Sequence, residues 1–66
     1  MDFQMSEREA TDRIVRANIL RGLAAGEAIY IDMQGAIATR IIRDLVAERA
    51  AQIVEGPYGD LVQLAA

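Results

Sequence analysis

Residues 45–66, LVAERAAQIVEGPYGDLVQLAA, decide how the whole chain is read. Leu45, Val46, Ala47, Ala50, Ala51, Ile53 and Val54 bring aliphatic and small side chains at helical spacing, so the run predicts the second half of a helix. Gly56-Pro57 then acts as a stop, a glycine just past the last helical residue and a proline that cannot continue it. On this reading a second helix covers about residues 33–55, from Met33 to Val54 or Glu55, with Asp32 as its N-cap. Residues 57–66 remain as a tail carrying Leu61, Val62 and Leu64. That tail either packs back as a single helical turn or orders on binding a partner.

Upstream, Gly26 and Gly35 bound a run in which Ile29, Ile31 and Met33 alternate with Ala28, Tyr30 and Asp32. Period-two alternation predicts a short strand or extended connector over residues 28–32, with continuous helix as the alternative. Ser6 and Glu9 have the spacing of a capping box, and Glu7 and Glu9 suit the positive end of a helix dipole. The first helix is therefore expected over about residues 7–25, with Gly26 as its left-handed C′ residue. Gly22 inside it costs about 1 kcal/mol relative to alanine; the alternatives are that it ends the helix early or allows a close helix–helix approach. Met1 to Met5 read as a loose lead-in, and the acidic, polar start lacks the pattern of a secretory signal.

On the first helix Thr11, Ile14, Val15, Asn18, Ile19 and Gly22 share one side, where Asn18 suits a register-setting polar contact. Leu20 and Leu23 fall among the charges and are expected to meet a partner. On the second helix Ile37, Ala38, Ile41, Ile42, Leu45, Val46 and Ile53 form a broad apolar face. Two helices cannot cover faces this wide. Each Å² of apolar surface left in water forfeits about 25 cal/mol, against a net stability of only about 5–15 kcal/mol. The expected solution is a mainly α homodimer. Two-helix protomers (helix, strand or connector, helix, tail) join as a dimeric helical bundle, the Ile29–Ile31 segments pairing across the twofold axis.

Composition narrows the chemistry. The 66 residues include no histidine, cysteine, lysine or tryptophan, but seven arginines and ten carboxylates, for a net charge of −3. Disulfides and thiolate zinc sites are thus ruled out, acid–base work is left to Asp, Glu and two tyrosines, and no cofactor, metal or enzymatic activity is expected. Eighteen Ile, Leu, Val and Phe residues argue for a folded core over disorder. No uncharged stretch is long enough to span a bilayer, so the expectation is a cytoplasmic protein without membrane contact.

Asp44 and Glu48 lie one helical turn apart, but like charges at that spacing ordinarily sit in water. Gly35 alone is a weak signal for an anion site. Arg13 with Arg16, and Arg40 with Arg43, share helical surfaces but are interleaved with Asp12 and Asp44, as in solvated ion-pair faces. The function expected is a small protein-interaction module, a regulator or inhibitor of the phage or plasmid accessory type, acting on a larger protein. Its contact residues would be Leu20, Leu23, Tyr30, Leu61, Val62 and Leu64, with Arg40 and Arg43 steering the partner. The alternative is a dimeric DNA-binding transcriptional regulator or antitoxin using the arginine-bearing helices.

Overall fold

The computed structural model describes residues 6–65; the expected lead-in over residues 1–5 lies outside them. Helix α1 spans Glu7–Ala24, and strand β1, Ile29–Tyr30, runs into a 3-10 turn at Ile31–Met33. Helix α2 spans Ala36–Ala47, followed by strands β2, Ala51–Gly56, and β3, Gly59–Leu64. The strands form one antiparallel sheet in the order β1-β3-β2. The two helices pack on one of its faces, giving an α+β fold.

The mainly α expectation fails at one place. Helix α2 ends at Ala47, eight residues before the expected Glu55. Its C-cap is Glu48, and Arg49 turns into the left-handed region with φ 63°. The Arg49 amide donates to the Val46 carbonyl at 3.0 Å, and the Ala50 amide reaches back to Leu45 at 2.9 Å. This is a Schellman closure, which ordinarily uses glycine at the position Arg49 occupies. Helix α1 ends the same way with the usual residue. Gly26 has φ 85°, and the amides of Gly26 and Glu27 close onto Leu23 and Gly22.

Released from the helix, residues 51–64 form a hairpin whose register pairs Ala51 with Leu64, Ile53 with Val62, and Gly56 with Gly59. Gly56-Pro57 is therefore the entry to a turn and not a helix stop, and the expected tail is the central strand of the sheet. Proline holds φ near about −65°, so Pro57 excludes the mirror-image turns that hairpins favour. The strand twist is recovered one step later by Gly59, with φ 129°.

The strand expected over residues 28–32 shortens to β1. It pairs with β3 inside the chain, Ile29 opposite Val62 and Tyr30 opposite Leu61, and not across a twofold axis. Asp32 lies in the 3-10 turn, and the N-cap of α2 is Gly35. Helix α1 follows expectation closely: Ser6 is the N-cap, and its hydroxyl accepts from the Glu9 amide at 3.1 Å.

The core consists of Ile19, Leu23, Ile31, Ile41, Ile42, Leu45, Ala51 and Val62, with Val15, Leu20, Ile29, Ala38, Val46 and Ala50 packed at its margin. The hairpin packs against Ile41, Ile42 and Leu45, burying within one chain the centre of the face that a helical bundle was expected to bury. Three residues expected in the core or against a second copy are exposed in the single chain: Ile14 at 61 %, Ile37 at 47 % and Ile53 at 40 %. Asn18 is exposed too and sets no internal register. The buried side of α1 is rotated toward Leu20 and Leu23, because Asp12 and Arg16 on that side reach α2. Gly22 is buried inside α1 and neither ends the helix nor meets α2 at close range; its nearest neighbours lie in the chain after α1. A Cβ there would fall on the Glu27 carboxylate and lie 3.5 Å from Ile29.

Candidate interaction surfaces

The α1–α2 seam is held from outside by two ion pairs. Arg16 donates from Nη1 and Nη2 to the two carboxylate oxygens of Glu48, at 2.8 and 2.7 Å. Arg40 Nη2 donates to Asp12 Oδ1 at 2.6 Å. Both pairs step in the same direction along the two helices, so α1 and α2 run in the same sense and the β1 segment carries the chain back between them. These hydrogen bonds hold the Asp12 and Glu48 carboxyls below their ordinary range. All four side chains are between 30 and 48 % exposed. At that exposure such pairs set geometry more than stability.

Three recesses share Arg40 in their lining, two of them on the α1–α2 seam and one over α2. One, of about 430 Å³, has Ile37 among Glu7, Arg8, Thr11, Asp12 and Arg40. A second, of about 490 Å³, lies over α2 between Gln34, Thr39, Arg43 and Asp44. Arg13 and Arg16 line the third, smaller one. Arg43 and Arg13 form no ion pair among the described residues.

A second surface is the face of the sheet away from the helices. The register sets Tyr30, Leu61 and Val54 side by side across the three strands, all half-buried. Tyr58 at the hairpin tip is 78 % exposed and meets Tyr30 edge to face, with ring centroids 6.1 Å apart. The third surface is the outer edge of β2, which no strand among the described residues covers. Ile53 and Leu64, on the helix side of the sheet near that edge, are 40 and 41 % exposed.

The expected contact residues are thus scattered. Arg40 and Arg43 come together over α2, Tyr30 and Leu61 on the outer sheet face, and Leu64 on the helix side of the central strand. Leu23 and Val62 are buried at 8 and 1 % exposure and belong to the core. Leu20 packs at the core margin. Leu23 and Val62 are therefore unavailable to a partner. Ile37 and Ile53, expected in the core or against a second copy, are exposed in the single chain, and Tyr58 is the surface residue that sequence reasoning missed. The Pro57-Tyr58-Gly59 turn between two apolar runs was the available signal for Tyr58. Nothing in the sequence pairs Asp12 with Arg40, 28 positions away.

Among the described residues no three carboxylates converge to hold a metal ion. No described helix is long and apolar enough to cross a membrane. Comparison with protein-family models, curated proteins and solved structures found no match to this chain.

Proposed function

We propose that this protein is a non-catalytic interaction module that docks a larger protein along the α1–α2 seam and regulates it by occupying its surface. One observation carries the reading. Ile37, a large aliphatic side chain, is 47 % exposed in a recess ringed by Arg8, Asp12 and Arg40. An apolar anchor inside a charged, arginine-rich rim is the usual composition of a protein contact. Arg13 and Arg43 add positive charge beside it and favour an acidic partner surface.

Nucleic acid fits this surface less well. Arg16 and Arg40 already serve Glu48 and Asp12. Glu7, Asp12 and Asp44 line the same recesses and repel phosphate. The net charge of −3 works in the same direction.

The test is capture from the native host with the wild-type chain, Ile37→Asp and Arg43→Glu, each shown by circular dichroism to keep its fold. A protein retained by the wild type and lost from both variants is the expected result. Equal retention by all three defeats the seam as the docking site. A salt-dependent affinity for random duplex that Arg43→Glu weakens would replace the reading with DNA binding.

A further inference from the structure

We propose that two copies of this chain join through the open edge of β2, antiparallel about a twofold axis at Ile53, into one continuous six-stranded sheet. The inference uses none of the residues that line the seam recesses, so it stands or falls independently of the partner site.

The hydrogen-bonding phase of the hairpin determines which backbone groups are free. The Ala65 amide donates to the Ala50 carbonyl at 3.1 Å, one step beyond the Ala51–Leu64 pair. Hydrogen-bonded pairs alternate along an antiparallel ladder, so Gln52, Val54 and Gly56 point their amides and carbonyls at β3. Ala51, Ile53 and Glu55 therefore aim theirs outward, where nothing among the described residues receives them.

This edge lacks the usual protections. Natural edge strands are kept from self-pairing by lysine, proline, bulges or short length. Strand β2 is six residues long, its pairing with β3 runs unbroken from Ala51 to Gly56, and its sequence AQIVEG holds neither lysine nor proline. Glu55 is its one charge.

The edge is also complementary to itself, and this selects a second copy as the occupant. With Ile53 on the axis, Ile53 faces its own counterpart, and Ala51 faces Glu55 of the other copy. All of these are residues whose backbone groups point outward. On the helix side of the sheet, a row Val62–Ile53 continues into Ile53–Val62 of the second copy and covers the exposed part of Ile53. Arg49, just before β2, comes diagonal to the other copy's Glu55. There it offsets the like-charge pair Glu55–Asp60. Within one chain, neither Arg49 nor Glu55 forms an ion pair among the described residues. The twofold axis provides two such pairs at once.

Sedimentation equilibrium of the wild-type chain and four variants tests this. The wild type is expected to be a dimer at micromolar concentration. Ile53→Pro removes an outward amide and no ladder bond to β3, so it should keep the far-ultraviolet spectrum and sediment as a monomer. Arg49→Glu and Glu55→Arg should each raise the dimer dissociation constant by at least about tenfold, through two like-charge contacts. An equimolar mixture of these two single variants restores both pairs with opposite sign and should recover a dimer containing one chain of each. The double variant Arg49→Glu/Glu55→Arg should dimerise with itself. A wild-type chain that stays monomeric overturns the proposal. So does a dimer that ignores Ile53→Pro, or single variants that fail to recover on mixing.

Discussion

The Ala50 amide donates to the Leu45 carbonyl at 2.9 Å across the end of α2, and that bond closes only because Arg49 between them adopts φ 63°. An L-residue with a β-carbon in the left-handed region is strained by about 1–2 kcal/mol. Replacing Arg49 with glycine should therefore stabilise the monomer by about 1 kcal/mol, a rise of several degrees in Tm for a domain of this size. Thermal unfolding is best measured at high dilution, where association does not contribute. Arg49→Val should move Tm the other way. An unchanged Tm in the glycine variant would mean that the strain is offset elsewhere.

Leu23 and Ile14 should exchange the importance that helical periodicity assigns them. Leu23 is 8 % exposed and packs with Ile19 and Leu45, whereas Ile14 is 61 % exposed. Leu23→Ala should cost about 2–5 kcal/mol, enough to unfold much of so small a domain. Ile14→Ala should stay within about 0.5 kcal/mol of the wild type. Urea titration of the two variants checks the contrast.

Gly56 is required by packing and not by backbone freedom. A Cβ there would stand 2.6 Å from Leu61 Cδ1 and 2.9 Å from the Gly59 carbonyl oxygen, and the carbonyl belongs to the turn itself. Gly56→Ala should cost about 1–3 kcal/mol through forced displacement of the hairpin. Loss of hydrogen-exchange protection in β2 and β3 ahead of α1 would locate the damage. Protection lost evenly would not fit.

Acid should weaken the helix pairing before it unfolds the sheet. Hydrogen bonds from Arg40 and Arg16 hold the Asp12 and Glu48 carboxyls below their ordinary range. A carboxyl depressed in the folded state contributes stability that is present above its unfolded pKa and is lost as pH falls through the folded value. Tm should therefore be flat near neutrality and decline below about pH 4. The decline should be shallow and smaller in high salt, because both pairs are exposed. The double variant Asp12→Asn/Glu48→Gln should flatten that part of the profile; an undiminished slope would assign it to other carboxyls.

Local chemistry was legible wherever neighbours in sequence suffice. The Ser6 cap, the Gly26 C′ residue and the extent of α1 all follow from contacts within one helical turn, and Glu7–Ala24 departs from expectation by one residue. The short strand at Ile29 and Tyr30 was legible from alternation, although its partner was not. The absence of histidine and cysteine bounds the chemistry of the chain without any structure.

The run from Ala47 to Glu55 was not legible in the same way. Its alanines and aliphatics suit a helix by propensity, and Arg49 gives no local sign that it will accept a left-handed conformation. What decided the matter is long-range pairing. Residues 51–56 gain a ladder with 59–64, and Val62 becomes the floor of the core beneath Ile42 and Leu45. Propensities amount to tenths of a kcal/mol per residue, whereas burying side chains like these contributes about 1.5–3 kcal/mol each. The amino-acid order alone determined the two caps of α1, the extent of that helix and the absence of histidine and cysteine chemistry. The tertiary structure alone decided where α2 stops, which side of α1 faces inward and which arginines meet carboxylates, because those outcomes depend on segments far apart in the chain burying one another.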